Sequence, residues 1–213
     1  MMANPIRDLA VLRAHIAVRA ARMVARDGAD YGSAKRRALR ELVGDAHPPA
    51  QLLPDNVEIE QEVRRYQALF LAEHQPARLR FLRVIALEVM AQLTQFRPYL
   101  TGAVLNGPAG AHDDVCLHLF ADSAKDVLLF LLDRDVQFAL CATPSAKGAR
   151  QGHDPLETVS FEWRKQMVHA TVYEFNDLRG GAKTRADKRA LRADMNAVRA
   201  MLADTEPEES SKP

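Results

Sequence analysis

Three side chains that can bind metal ions or move protons alternate along one short apolar segment of the chain. They are Asp114, Cys116 and His118, and the residues between them are Val115 and Leu117. Period-two alternation is typical of a β-strand with one buried face, so the three polar side chains are expected to share the other face. A carboxylate, a thiol and an imidazole together could hold a cation or take part in proton transfer.

A glycine-containing segment precedes this strand. Tyr99 to Leu105 is apolar and predicts a strand, and Asn106 to Gly110 (Asn-Gly-Pro-Ala-Gly) predicts a turn. Glycine lets the backbone approach a ligand closely, and backbone N–H groups in a turn can form a concavity that binds anions. We therefore interpret residues 102–120 as a strand–turn–strand unit with an anion-binding turn.

This unit resembles the phosphate- and metal-binding signature of polymerase-beta-type nucleotidyltransferases. That signature is Gly-Ser or Gly-Gly, a gap of about ten residues, and Asp-x-Asp on a strand. Gly102-Ala103 stands at the first motif and Asp114-Val115-Cys116 at the second. Residues 15–180 resemble an uncharacterised, mostly proteobacterial family with a degenerate nucleotidyltransferase domain. The stretches that carry this wider resemblance are Met23–Arg40, Leu53–Asn56 and Leu100–Asp126.

The resemblance implies a bacterial protein with a nucleotide site and a Mg²⁺ cofactor. Gly102, Asn106 and Gly107 would form the phosphate side of that site. Asp114 would be the catalytic carboxylate and a metal ligand. His118 and His169 stand at replaced ligand positions, so the metal candidates that the resemblance implies are Asp114, His118 and His169.

Departures from the family pattern predict that transfer chemistry is weakened or lost. Two-metal phosphoryl transfer would need two carboxylates on this strand and a third from a later one. Cys116 replaces the second carboxylate, and a neutral thiol is a poor ligand for a hard cation. The third position falls near His169, with Glu162 and Glu174 close in sequence. Family members also carry the label UDP-N-acetylmuramate–alanine ligase, which this chain does not support because it lacks a Gly-Lys-Thr/Ser phosphate loop.

Cys116 has other chemical interpretations. A Zn²⁺ site would use it with Asp114 and His118, completed by His112 or His169. Three ligands on one strand are less common than Cys-x-x-Cys spacing, so Zn²⁺ is not favoured. A thiol nucleophile with His118 as its base is weaker still, since residues two apart on a strand stand roughly 6–7 Å apart. A small, half-buried residue is the simplest interpretation of Cys116.

The first hundred residues carry helical periodicity. Helices are predicted from about Ile6 to Asp27, around Ala38–Val43, after a capping box formed by Asp55 and Glu58, and from Pro76 to about Phe96. On the third of these helices, the inward positions are predicted to be Ile59, Val63, Tyr66, Leu69 and Phe70.

After Arg97-Pro98 the pattern changes to short strands and helices. The predicted elements are the strand Val115–Phe120, the helix Ala124–Asp133, the strand Val136–Ala142, a hairpin of Thr158–Trp163 and Met167–Phe175 that turns near Arg164-Lys165, and a last helix from a cap at Thr184 to about Ala203. The predicted class is α+β, with a helical N-terminal region (5–97) packed on a nucleotidyltransferase-like mixed β-sheet domain with a C-terminal helix (98–204). Residues 205–213 are predicted to be a disordered acidic tail.

Composition and charge narrow the range of partners. The chain has 213 residues and a net charge of +1, so no global field draws it to nucleic acid or to an anionic membrane. No apolar run reaches the roughly 20 residues of a membrane-spanning helix. The densest basic cluster is Lys35, Arg36, Arg37 and Arg40, which is either a solvated face or a contact for RNA or a protein partner. Two cysteines in apolar segments fit reduced thiols and a cytoplasmic location.

Two functional hypotheses follow. The first is a divergent nucleotidyltransferase-superfamily protein that binds a nucleotide or phosphate group, with transferase catalysis weakened or lost. The second is a non-catalytic interaction or regulatory protein that uses the same fold as a scaffold, because a fold by itself does not determine an activity.

Overall fold

The computed structural model of the chain describes residues 5–44, 50–143, 156–178 and 190–204. Its helices are α1 (Pro5–Asp27), α2 (Tyr31–Val43), α3 (Asn56–Phe70), α4 (Gln75–Gln92), α5 (Gly102–Asn106), α6 (Ala124–Leu132), α7 (Phe175–Leu178) and α8 (Met195–Ala203). Its strands are β1 (Tyr99–Thr101), β2 (Val115–Phe120), β3 (Phe138–Thr143), β4 (Leu156–Trp163) and β5 (Gln166–Tyr173). The α+β class, with helices first and a C-terminal helix, is confirmed.

The chain divides into two compact units. The first consists of residues 1–78 together with 108–113, and the second of residues 79–107 together with 114–213. The boundary expected between residues 97 and 98 falls inside the second of these units. The predicted acidic tail, residues 205–213, lies outside the described residues.

Small side chains bring α1 and its neighbours together in the first unit. Ala20, Ala34 and Ala38 are at most 1% exposed and belong to one apolar cluster with Ile16 and Ile59. Helix axes approach more closely where the contacting side chains are small. This cluster is the core of the first unit, and it holds α1 against both α2 and α3.

The predicted capping box opens α3. The Asp55 carboxylate accepts the backbone N–H of Glu58, and the Glu58 carboxylate accepts the backbone N–H of Asp55. Arg13 of α1 also donates from Nε to Glu58 at 2.8 Å. Chiefly because of this hydrogen bond, the pKa of the Glu58 carboxyl is lowered. One glutamate therefore both caps α3 and ties it to α1.

The inward face of α3 was predicted incorrectly in its last turn. Leu69 and Phe70 are 76% and 66% exposed, whereas Gln67 is buried. The buried stripe runs through Ile59, Val63 and Gln67, four residues apart, as helical geometry requires. Gln67 is tolerated there because its amide donates to the carbonyl oxygen of Pro108 at 2.6 Å.

A five-stranded mixed sheet in the order β1-β2-β5-β4-β3 forms the second unit's centre. β2 and β5 pair in parallel, and the other neighbours pair antiparallel. One face is apolar and buried, with Val115, Leu117 and Leu119 at most 1% exposed. The predicted alternation along β2 is thus confirmed, and Asp114, Cys116 and His118 belong to the opposite face.

Two element predictions in the second unit were wrong. The segment predicted as a strand from Tyr99 to Leu105 is a strand only to Thr101, after which Gly102 to Asn106 form α5. Gly102 has φ +71°, a conformation in which glycine redirects the chain without steric cost. The last helix begins at Met195, where the Asp194 carboxylate caps the N–H of Ala197. The cap predicted at Thr184 lies outside the described residues.

None of the helices in the described ranges is long and apolar enough to cross a membrane.

Candidate functional site

Sheet register places polar side chains from four strands in two rows on the face opposite the apolar core. The first row is Thr101, Cys116, His169 and Ser160, from β1, β2, β5 and β4 in turn. The second row is Tyr99, His118, Thr171 and Thr158. Directly paired residues on neighbouring strands point to the same side of a sheet and are close enough to interact. This face is the candidate functional site.

A hydrogen-bonded chain of three side chains crosses the first row. His169 Nε2 lies 3.2 Å from Asp114 Oδ2, and His169 Nδ1 lies 2.7 Å from Ser160 Oγ. Gln166 donates its amide to the other carboxylate oxygen of Asp114 at 2.9 Å. The side chains of Asp114 and His169 are 38% and 36% exposed, so the network is open to solvent on one side.

The chemistry of the three groups fixes the direction of these hydrogen bonds. An ionised carboxylate only accepts, so His169 must carry its hydrogen on Nε2 when the imidazole is neutral. Nδ1 then holds the lone pair, and Ser160 Oγ is the donor to it. The arrangement is that of a hydroxyl facing a base whose tautomer is set by a carboxylate.

Gly102 is located at the junction of β1 and α5, beside Cys116 of β2. A Cβ on Gly102 would lie 3.6 Å from Cys116 Cβ, so the backbone passes close to that side chain. Asn106 donates its side-chain amide to the Gly102 carbonyl oxygen at 3.0 Å, within α5. Gly107 ends α5 with φ +103°. Asn106 and Gly107, predicted to begin an anion-binding turn, are therefore the C-terminal end of α5. The Asn106 side chain stabilises this helix through its hydrogen bond to Gly102.

The segment 108–113, in the first unit, is held through its carbonyl oxygens. Besides Gln67, Gln75 donates to the Ala109 carbonyl at 2.9 Å. The Gly110 N–H, in the segment predicted as a turn, donates to the Asp113 carboxylate at 2.8 Å. His112 contacts the Arg26 carbonyl through Nε2 at 3.0 Å.

His118 takes no part in the Asp114 network. Its ring lies 4.6 Å, centroid to centroid, from that of Tyr173, and Nε2 is 3.4 Å from the Tyr173 hydroxyl. Burial, followed by the nearby positive charge of Arg192, lowers the pKa of His118 to about 4. His118 is therefore neutral near pH 7, and its ring packs against that of Tyr173 at an interplanar angle of 51°.

The predicted metal candidates do not all converge. Asp114 and His169 are in contact, whereas His118 is in the next row and faces Tyr173. Glu174 follows the far end of β5, whereas Asp114 lies beside Met167 at the start of that strand. Seven residues separate Met167 from Glu174, which corresponds to about 23 Å along a strand. Across the described part of the chain, no group of three His, Cys, Asp or Glu side chains is arranged to hold a metal ion.

Cys116 and Cys141 are both reduced thiols, the first half-buried and the second exposed. Register places Cys116 directly beside His169 rather than His118. The basic cluster lies on α2, where Arg37 pairs with Glu41 at 3.3 Å and Arg36 contacts the Ser33 hydroxyl at 3.4 Å.

Ser160 and Gln166 were not among the predicted site residues. A serine inside a strand carries no chemical signal in sequence, but the predicted hairpin did contain the necessary information. A two-residue turn at Arg164-Lys165 pairs Trp163 with Gln166 and hence Ser160 with His169, as observed.

Comparisons with known proteins add no assignment. No protein-family model matches this chain, and a search of curated proteins finds no match.

Proposed function

We propose that this chain is a divergent member of the nucleotidyltransferase superfamily that binds a nucleotide or another phosphate group and has lost or weakened transferase catalysis. The observation that carries the proposal is the position of Asp114. It precedes β2 and is partly exposed, while Gly102 lies at the end of the neighbouring strand β1, packed on Cys116. This is the glycine, strand and first carboxylate that the sequence resemblance implies.

The surroundings of Asp114 support binding more than two-metal transfer. Its carboxylate contacts an imidazole and an amide, neither of which carries a fixed positive charge. Cys116 stands two residues further along the strand face, where a second carboxylate would be needed. One carboxylate is still sufficient for binding, because Mg²⁺ is commonly held by one or two carboxylates together with the phosphates of its ligand.

Nucleotide binding is expected to stabilise the protein and to depend on Asp114. We expect ATP, CTP, GTP or UTP, with Mg²⁺ or Mn²⁺, to raise the melting temperature of the wild-type chain. Asp114→Asn should abolish the increase, because it removes the negative charge that holds the cation. Differential scanning fluorimetry of both proteins, with and without each nucleotide, measures the effect.

Asp122→Asn is the matched control, since it removes the same charge from an exposed residue after β2. It should keep the nucleotide-dependent increase. No increase with any nucleotide and either cation would refute the proposal, as would an undiminished increase in Asp114→Asn.

A second candidate function is an interaction protein, and a groove in the first unit favours it. The groove has a volume of about 680 Å³. Apolar residues of α1, α2 and α3 line it, namely Val18, Leu42, Tyr66 and Phe70. Val18, Leu42 and Phe70 are 52%, 42% and 66% exposed. Contiguous exposed apolar surface of this kind is typical of a binding site for a protein segment.

Charge indicates which segment would fit. Arg19, Arg22, His15 and Glu41 also line the groove, and Glu41 is paired with both Arg19 and Arg37. Hydrogen bonding by Arg19 lowers the pKa of Glu41, so this carboxylate stays ionised and its charge is balanced by the two arginines. The remaining charge is positive, which favours an amphipathic peptide helix with apolar and acidic residues.

An amphipathic peptide of Leu, Phe, Ala and Glu should therefore bind more tightly than the same peptide with Lys in place of Glu. Phe70→Ser should weaken binding at least about tenfold by removing an apolar side chain that lines the groove. Leu69→Ser is the control, because Leu69 is 76% exposed and does not line the groove. Fluorescence anisotropy of labelled peptides measures the affinities. Equal affinity for both peptides, or binding of single-stranded RNA in their place, would contradict this function.

A further inference from the structure

The network on the sheet face contains a hydroxyl, a base and a carboxylate in series, which neither functional hypothesis uses as a unit. Ser160 and His169 are directly opposite on β4 and β5, and their side-chain atoms are 2.7 Å apart. His169 is in turn 3.2 Å from Asp114. From this geometry we infer that Ser160 is a nucleophile activated by His169 as general base, with Asp114 as the positioning residue for the imidazole.

The hydrogen-bond directions suit this role. With its hydrogen on Nε2 and directed at Asp114, the imidazole presents the Nδ1 lone pair to the Ser160 hydroxyl. A serine becomes an effective nucleophile when such a base takes its proton during attack. Compared with serine hydrolases the two ring nitrogens exchange roles, but such sites are recognised by geometry and not by which nitrogen is used.

The carboxylate is itself held in place. Gln166 donates to Asp114 Oδ1, and this hydrogen bond orients the carboxylate, whose other oxygen, Oδ2, faces His169. Gln166 is 5% exposed, and a buried amide that orients a carboxylate has little freedom to move away. The base is therefore positioned by two neighbours, Asp114 immediately before β2 and Ser160 on β4.

The surface next to the hydroxyl is open to solvent on the β3 side. On the β3 side of Ser160 the paired residue is Ala139, which is exposed and has only a methyl side chain. Glu162 is two residues along β4 on the same face and is also exposed. Without a divalent cation to offset the carboxylates of Asp114 and Glu162, the face disfavours anions, so the substrate class that fits the metal-free site is a neutral carboxylic ester.

The reaction with an ester balances with water alone. Ser160 Oγ bonds to the carbonyl carbon while its proton moves to His169 Nδ1. The C–O bond to the alcohol then breaks, and the alcohol leaves with that proton. Water then gives a proton to the same nitrogen and attacks the acyl-serine carbonyl carbon. The bond between that carbon and Ser160 Oγ breaks, the acid is released, and the proton on His169 Nδ1 returns to Ser160 Oγ. This inference does not rest on the proposed nucleotide site, because no step uses a nucleotide or a metal.

The test is covalent labelling of the full-length chain with a neutral fluorophosphonate, without nucleotide or divalent cation. Attack by Ser160 Oγ forms an O–P bond, breaks the P–F bond and releases fluoride, while the proton passes to His169. Intact-mass spectrometry gives the rate, and peptide mapping gives the site. We expect one adduct at Ser160, none in Ser160→Ala, and a rate reduced roughly 100-fold or more in His169→Ala.

Two further measurements separate activation from a structural role. Added imidazole should restore labelling of His169→Ala, because it can occupy the space left by the ring and act as the base. Asp114→Asn should slow labelling, and Asp114→Glu should label faster than Asp114→Asn. The reason is that only a carboxylate keeps the His169 hydrogen on Nε2 and leaves Nδ1 free to accept the serine proton. Ser33→Ala is the control for an exposed serine on α2 and should label like the wild type.

The inference is overturned by a Ser160 rate no greater than that of Ser33, or by an unchanged rate in His169→Ala. If His169→Ala does not fold by circular dichroism, the wild-type rate at Ser160 relative to Ser33 decides the question alone. Nucleotide-dependent stabilisation is measured separately, so either proposal can fail while the other stands.

Discussion

Gly28→Ala should lower the free energy of unfolding by about 2–4 kcal/mol, a loss composed of backbone strain and a steric clash. Gly28 ends α1 with φ +68°, where a residue with a Cβ is disfavoured by roughly 1–2 kcal/mol. The new Cβ would also lie 2.7 Å from His112 Cβ, far closer than van der Waals contact. That atom is attached directly to backbone, so a rotamer change of His112 cannot relieve the clash.

Gly107→Ala provides the matched control for this substitution. Gly107 has φ +103°, but a Cβ there would meet nothing within 4 Å. Gly107→Ala should therefore lower the free energy of unfolding only through backbone strain, by about 1–2 kcal/mol. Urea denaturation of each variant gives the free energies. Equal losses in the two variants would show that the contact with His112 is not a constraint.

A double-mutant cycle tests the cause directly. His112→Gly removes the Cβ that the new methyl group of Gly28→Ala would strike, so the double variant should lose less than the sum of the single losses. His112 also contacts the Arg26 carbonyl at 3.0 Å, and this hydrogen bond is lost in both variants that carry His112→Gly. Strict additivity would contradict the clash.

Arg83→Met should destabilise the protein by about 2–3 kcal/mol, although the substitution leaves an apolar side chain of similar length in a buried position. Arg83 is 9% exposed and donates from Nε to the Val104 carbonyl at 3.2 Å and from Nη2 to the Leu105 carbonyl at 3.5 Å. Both carbonyls belong to the last turn of α5, where helical acceptors lack partners within the helix. The guanidinium therefore caps α5.

Amide hydrogen exchange distinguishes this local effect from a general loss of stability. In Arg83→Met the amides of α5 should exchange faster than those of β2, because the cap is lost while the sheet is not. Burial lowers the pKa of the Arg83 guanidinium, but it stays charged at neutral pH. Arg83→Lys should lose less stability than Arg83→Met, because its ammonium group still donates to one of the two carbonyls.

Arg65→Met is the surface control for Arg83. Arg65 is paired with Glu62 on α3, and its side chain is 74% exposed. Exposed ion pairs contribute about 0–1 kcal/mol, so this substitution should have little effect. A comparable loss in both variants would show that the carbonyl contacts of Arg83 do not stabilise α5.

The sequence was informative wherever the signal was local. The Asp55–Glu58 capping box and the alternation in β2 are set by neighbouring residues, and both were predicted correctly. The hairpin of β4 and β5 was also predicted, although Arg164 and Lys165 at its turn adopt positive φ without glycine. Strand pairing compensates for the turn residues there.

Errors arose where tertiary context decided the outcome. The apolar residues after Gly102 are too few to distinguish a strand from a helix by period, and α5 forms because the chain is redirected at Gly102 and capped by Arg83. On α3 the buried position in the last turn is taken by Gln67, because its amide donates to the Pro108 carbonyl, and Phe70 is consequently exposed. Likewise, the contact between Asp114 and His169 depends on the parallel pairing of β2 with β5, which no local pattern encodes.

The parallel placement of β2 beside β5 has a consequence for the order in which the site assembles during folding. Ser160 and His169 are nine residues apart and belong to one hairpin, a structure that forms in about 1–10 μs. Asp114 is separated from His169 by 55 residues, and closing that longer loop costs more conformational entropy. The hydroxyl and its base are thus expected to meet early, and the carboxylate to join them only when the centre of the sheet closes.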